Sequence, residues 1–249
     1  MSNVAPTLFI SDLHLSPERP QLVAAFHALV EGPARSAKAL YILGDLFDAW
    51  IGDDQLREPL AAGVARALFD LSDHGVPVFL QTGNRDFLLG ERFAQACRAT
   101  LLPDAIVHDV HGTPTLLMHG DLLCTDDVEY QRFRAYRQDP ARRRRFLARP
   151  YFIRRMIAAA LRFRSRRATA TKSEMIMDVN AGAVIAAMRE HRVHRLIHGH
   201  THRPARHELT LDGVSAERWV LADWYRTASY LQVDADGVEA RVLDAEARQ

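Results

Sequence analysis

Five times along the 249-residue chain an apolar run stops on a group of Asp, Asn, His and Gly residues: "TLFISDLHL" from Thr7, "ALYILGDLFD" from Ala39, "VPVFLQTGNRD" from Val76, "TPTLLMHGD" from Thr113 and "VHRLIHGHTH" from Val193. A short continuous apolar run with polar residues after it predicts a buried strand that delivers those residues at its carboxyl end. Helical spacing of apolar positions over 19–31 and 56–73 alternates with the first three strands, which predicts an α/β layered domain. From about 125 to 190 no strand signal occurs. Apolar and basic residues interleave at helical spacing there, and Pro140 and Pro150 mark breaks, so this stretch reads as a helical insertion between the fourth and fifth strands. After 204, "RHELTLDG", "ERWVLADW" and "SYLQVDADG" predict an antiparallel sheet portion that completes the fold.

In open α/β sheets ligands gather at the carboxyl ends of strands, so residues far apart in sequence are expected to converge there. The candidates are Asp12 and His14, Asp45, Asn84, His119, and His200 and His202. Alternation along an extended chain puts Asp12 with His14, and His200 with His202, on one side. Carboxylate, carboxamide and imidazole without thiolate make a mixed oxygen and nitrogen donor set of the kind Mn²⁺, Fe²⁺ or Zn²⁺ accepts. The candidates outnumber the needs of one ion, so two divalent ions sharing a carboxylate is the economical expectation. Gly44, Gly83, Gly120 and Gly199 are expected to let the backbone turn sharply beside the ligands.

Composition narrows the class. Apolar content of 48% and charged content of 25% are those of an ordinary folded protein. The amino-terminal "MSNVAPTLFISD" does not read as a secretory signal, no window reads as a membrane span, and two cysteines suit a reducing compartment, the cytoplasm by default. The formal charge of +1 hides an asymmetry: residues 137–172 hold thirteen Arg or Lys and one acid, Asp139, while the remainder is net acidic. Such a field favours an anionic partner, whether nucleic acid, an anionic membrane or a phosphorylated substrate.

The ordered set D-x-H, GD, GN, HGD and GHTH resembles the calcineurin-like metallophosphoesterase superfamily. Within it "FISDLHLS", "ILGDLFDAWIGDD", "GNRDFLLG", "LLMHGDLLCTDDVEYQRFR", "IMDVN", "IHGHTHRP" and "LADWY" resemble the UDP-2,3-diacylglucosamine hydrolase family over roughly residues 7–232. The resemblance implies a layered β-sandwich flanked by helices, its core in residues 1–124 and 191–249 and its helical insertion, with a lipid-binding cap, in 125–190. It implies one ion on Asp12, His14, Asp45 and His202 and a second on Asp45, Asn84, His119 and His200, most often Mn²⁺, with His198 outside the ligand set. The implied reaction is attack of a metal-activated water on the α-phosphorus of UDP-2,3-diacylglucosamine, giving UMP and the lipid 1-phosphate of lipid A synthesis. The catalytic set would be Asp45, Asn84, Arg85 and His119. The substrate contacts would be Asn84, Arg85, His200, Asp127, Tyr130, Ser165, Thr169 and Lys172.

Most relatives in the superfamily carry histidine where this chain has Arg85. A guanidinium cannot protonate a leaving alkoxide near neutral pH, but it binds phosphate oxygens through paired donors, which suits a phosphate leaving group and hence an anhydride. The simpler alternative is that Arg85 pairs with Asp86. In the insertion, Phe146, Leu147, Tyr151, Phe152, Ile153, Met156, Ile157, Leu161 and Phe163 lie among Arg142, Arg143, Arg144, Arg145, Arg154 and Arg155, a pattern for apolar contact with acyl chains and arginine contact with lipid headgroups. The expected partners are a lipid-linked sugar nucleotide and, peripherally, the cytoplasmic side of an anionic inner membrane. No nucleic acid and no obligate protein partner are expected. Another nucleotide-anhydride phosphoesterase would keep the metals and leave the cap without a task. A nucleic-acid-binding protein would explain the basic stretch and none of the strand-end residues.

Overall fold

A computed structural model of the chain describes residues 5–171, 178–225 and 227–243, with backbone alone over 162–171. The five expected strands are β1 (Thr7–Ile10), β2 (Ala39–Leu43), β3 (Val78–Gln81), β6 (Thr113–Met118) and β7 (Arg195–His198). They divide between two sheets. In the first, β1, β2, β3 and the short β4 (Thr100–Leu101) run parallel, and β10 (Ser229–Val233) and β11 (Val238–Val242) add antiparallel strands beyond β1. In the second, β6, β7 and β9 (Val214–Val220) run parallel between antiparallel edges β5 (Ala105–Val110) and β8 (Ala205–Leu211). The strands after 204 therefore form no single antiparallel unit. β8 and β9 extend the second sheet, with β9 parallel to β7, while β10 and β11 extend the first.

Alternation along the strands builds three cores. Leu8, Ile10, Leu40 and Ile42 face α1 (Pro20–Glu31) and α2 (Pro59–Asp73), where they meet Phe26, Leu29, Val64 and Leu68. Phe9, Tyr41, Leu43, Leu117, Ile197, Leu231 and Val233 fill the space between the sheets. Leu116, Met118 and Leu196 face Val184 and Met188 of α7 (Ala181–Glu190). Each such side chain contributes about 1.5–3 kcal/mol through burial, and the period of two forces every strand to serve two layers at once. The result is helix, sheet, sheet, helix.

Between β6 and β7 the chain forms α4 (Val128–Gln138), α5 (Pro140–Leu147), α6 (Tyr151–Thr171) and α7. Pro140 opens α5, where its missing N–H costs nothing, and Pro150 stands immediately before α6. Of these helices α7 covers the second sheet, whereas α4–α6 extend over the first sheet's loops. The basic stretch is not uniformly a solvated face. Arg137 is buried and donates to the Asn84 carbonyl at 2.7 Å, the Asp121 carboxylate at 3.1 Å and the Tyr130 hydroxyl at 3.0 Å. Arg134, also buried, joins Asp121 at 2.9 Å and Asp104 at 2.6 Å. Arg154, expected at lipid headgroups, is buried instead: it donates to the Ile51 and Arg149 carbonyls and pairs with Asp54. An arginine in a basic run reads alike in sequence whether it meets water or a buried carboxylate.

Arg137→Met should lower unfolding free energy by roughly 1–3 kcal/mol, because the Asn84 carbonyl loses its donor while Asp121 keeps Arg134 and Tyr130. Denaturant titration measures it. Arg154→Met should accelerate amide exchange over 151–161 while the strands of the first sheet keep their protection; uniform protection in both segments would contradict this anchoring role.

Candidate metal centre

The loops after β1, β2, β3, β6 and β7 meet on one rim, where the two sheets are joined by side-chain hydrogen bonds. His119, at the end of β6, donates from Nδ1 to the Leu43 carbonyl at the end of β2, 2.9 Å away. The Asp12 Oδ2 accepts the His200 backbone N–H at 2.8 Å and the Ser11 hydroxyl at 2.5 Å. Gln81 donates across to the Leu117 carbonyl at 3.1 Å. Asp12, His14, Asp45, His200 and His202 all have left-handed backbone, with φ between 48° and 70°. Only a few per cent of non-glycine residues adopt it, and it concentrates at functional sites.

All seven candidate ligands converge. Asp12 Oδ1 lies 3.2 Å from His202 Nε2 and 4.0 Å from His14 Nε2. The two imidazole Nε2 atoms stand 3.4 Å apart. Asp45 Oδ2 is 3.9 Å from His14 Nε2 and 3.9 Å from His119 Nε2. Asn84 Oδ1 lies 3.2 Å from His119 Nε2 and 3.0 Å from His200 Nδ1. Among the described residues two acid and histidine clusters have their ligand atoms within 4.8 Å of one another: Asp12, His14 and His202, and Asp12, Asp45 and His119.

The donor set fits divalent cations. Because the Leu43 carbonyl takes the Nδ1 proton of His119, its Nε2 is turned toward the oxygens of Asn84 and Asp45, and in the neutral imidazole it carries the lone pair that a cation can take. Facing lone pairs need a proton or a cation between them. Burial holds His14 and His200 down to about 3, so these imidazoles stay neutral and able to ligate. At His119 burial also opposes charge, but Asp45, Asp12 and Asp121 outweigh it and push the imidazole up to about 9. Burial, reinforced by Asp86 and Asp12, raises Asp45 above the usual carboxylate range. A pocket with this much unneutralised acid attracts positive charge. Two divalent ions are compatible with the arrangement.

Several residues that act on this site escaped the sequence reading. Asp86 does not pair with Arg85. Its buried carboxylate accepts the backbone N–H groups of Gly83 at 2.7 Å, Leu46 at 2.8 Å, Asp45 at 3.3 Å and Phe47 at 3.4 Å, and so shapes the loops that carry Asp45 and Asn84. Asp223 Oδ2 lies 3.6 Å from His202 Nδ1, on the far side of the ring from Asp12, as an electrostatic neighbour beyond hydrogen-bond distance. An aspartate after the apolar run of "WVLADW" was the available signal. Gly83 and Gly199 serve by their small size rather than by turning: a Cβ on Gly83 would meet Asp45 Oδ1 at 2.2 Å, and one on Gly199 would meet Asp12 Oδ2 at 2.3 Å. His198 is buried apart from the cluster, accepting from Arg218 at 3.1 Å.

Arg85 donates its backbone N–H to Asp45 Oδ1 at 2.7 Å. Tyr130 lies beside the cluster, its ring 5.8 Å from that of His200 and its hydroxyl donating to Asp121 at 2.7 Å. Asp127 caps α4 by accepting the Tyr130 N–H at 3.0 Å. Ser165 and Thr169 fall on α6 where side chains are not described, and Lys172 lies outside the described residues.

Comparison with known proteins agrees with this geometry. Residues 5–204 match the calcineurin-like phosphoesterase model. UDP-2,3-diacylglucosamine hydrolase of Salmonella arizonae is 54% identical over 233 residues, covering 94% of this chain and 97% of its own. The enzyme of the same name from Aromatoleum aromaticum is 53% identical over 230 residues, with 92% and 94% covered, and that from Escherichia fergusonii is 52% identical over 233 residues, with 94% and 97% covered. With the family motifs on five strand ends and their side chains gathered around one acidic, histidine-lined rim, the chain belongs to the calcineurin-like phosphoesterase family.

Proposed function

We propose that this chain is a metal-dependent hydrolase of UDP-2,3-diacylglucosamine in lipid A biosynthesis, cleaving the pyrophosphate bond to give UMP and 2,3-diacylglucosamine 1-phosphate. The observation that carries it is the pair of acid and histidine clusters in a chain whose relatives, matched over more than nine-tenths of its length, bear that substrate's name. In this reading Asp12, His14, Asp45 and His202 hold one ion and Asp45, Asn84, His119 and His200 the other. Asp45 would be the shared ligand, a role supported by its Oδ2 standing at equal distance from His14 and His119 while Oδ1 accepts the Arg85 N–H. Mn²⁺ is the ion the family resemblance implies, and the carboxylate and carboxamide oxygens of the donor set admit it. Such ions, when bound, would lower the pKa of water for attack and offset charge on phosphate oxygens.

The protein's own groups do the rest. Asn84, being neutral, limits the negative charge met by an anionic substrate. Arg85 follows it directly, and its guanidinium binds the departing phosphate through paired donors. Asp127 and Tyr130, with Ser165, Thr169 and Lys172, receive the acylated sugar. No helix among the described residues is long and apolar enough to cross a membrane. Leu147, Phe152, Met156 and Leu161 are exposed along α5 and α6 beside Arg142, Arg144, Arg145 and Arg155. This pattern supports peripheral attachment to the cytoplasmic face of an anionic inner membrane.

Chelator-treated protein should lose hydrolysis of UDP-2,3-diacylglucosamine and regain it with Mn²⁺. In ¹⁸O-labelled water the label should enter UMP; its appearance in the lipid phosphate would place attack on the other phosphorus and refute the proposed arrangement. Arg85→Ala should reduce kcat/KM at least about tenfold through loss of a charge-assisted contact, worth roughly 1.5–3 kcal/mol. Unchanged steady-state kinetics would remove Arg85 from the reaction.

A further inference from the structure

The rim has two unlike ends. At the His200 end stand Tyr130 and α4, the start of the insertion. At the other end Tyr225 stacks on His14, ring centroids 5.3 Å apart and planes within 11°, and lies 5.6 Å from His202. Tyr225 nevertheless leaves 45% of its surface exposed. The Arg19 guanidinium sits 4.3 Å from the Tyr225 ring centroid, and its buried Nη1 has no hydrogen-bond partner. A shielded guanidinium nitrogen without an acceptor is costly to leave unpaired, and an exposed aromatic ring against a metal-ligand candidate offers a flat apolar wall. Neither feature is used by the chemistry described above.

We propose that Tyr225 and Arg19 form the subsite for the nucleotide half of the substrate, with the pyrimidine against the phenol ring and the guanidinium on the C4 carbonyl oxygen of the base. This rests on the proposed function: a pyrophosphate held at the centre of the rim, with its acylated sugar toward the insertion, sends the nucleoside toward the opposite end. The chemistry also predicts selectivity. Arginine carries only donors. Uracil offers a carbonyl acceptor at C4, whereas cytosine places an amino donor there, so Arg19 favours uracil and leaves cytosine with two donors facing each other. Tyr225 supplies base stacking that is indifferent to base identity, so the two residues divide affinity from selectivity.

The test compares UDP-2,3-diacylglucosamine with its CDP counterpart on the Mn²⁺-loaded full chain, together with equilibrium dialysis of UMP and CMP. Wild type should favour the uridine substrate about tenfold or more in kcat/KM, within the range available when a site built for a hydrogen bond meets a mismatched group. Arg19→Met should bring the two substrates within about twofold, and Arg19→Lys, which keeps a donor, should retain part of the preference. Tyr225→Leu should raise KM for both substrates about tenfold with kcat little changed, as expected for lost base stacking. UMP affinity should fall in Arg19→Met and Tyr225→Leu while inhibition by the lipid 1-phosphate stays constant. A wild type that cleaves the uridine substrate, with variants that keep its base preference and UMP affinity, overturns the subsite alone. A wild type that leaves this substrate intact overturns the proposed function and the subsite with it.

Discussion

The site depends on two sheets being held face to face with their carboxyl rims in register. Asp12, from the first sheet, accepts the backbone N–H of His200 from the second, and His119, from the second, donates to Leu43 of the first. Each bond joins a candidate ligand to the opposite sheet, so the alignment of the sandwich and the spacing of the donors are one property. The core between the sheets, led by Phe9, Leu43, Leu117 and Ile197, supplies the free energy that makes this alignment rigid. Asp86 then fixes the local detail by collecting four backbone N–H groups from two loops.

The insertion is joined to this frame by arginine rather than by apolar packing alone. Arg137 ties α4 to the carbonyl of Asn84, and Arg154 ties α6 to the loop around Ile51. Movement of α4 is therefore mechanically connected to a candidate metal ligand. The exposed arginines of α5 have no such duty, and Arg142 lies over the Tyr136 ring at 3.8 Å. One basic stretch thus contains internal fasteners and an outward-facing surface.

The five strand ends were legible because each is a local event, an apolar run followed at once by a ligand-type residue. The division into two sheets was not, since the pairing of β1 with β10 and of β7 with β9 joins segments distant in sequence. β4 has two residues and β5 an uneven burial pattern, so neither stands out from its surroundings. Within the site, residue types were readable and backbone state was not. Nothing in "SDLHL" announces two left-handed residues, and Asp86 looks like a partner for its neighbour Arg85 until its carboxylate is seen facing inward. The glycines were noticed for conformational freedom, yet Gly83 and Gly199 are required for the room they leave.

The left-handed residues on the rim carry an evolutionary consequence. Aspartate and histidine are among the few non-glycine types that enter this conformation several times more often than the rest, and they are also residues that ligate divalent cations. Coordination and main-chain shape thus select the same short alphabet at these positions. Glutamate or glutamine would offer similar donor atoms, but without that conformational tolerance and from one methylene further away. Sequence drift at Asp12, His14, Asp45, His200 and His202 is accordingly confined by two independent filters, and lineages that abandon the chemistry are still expected to keep small polar residues there.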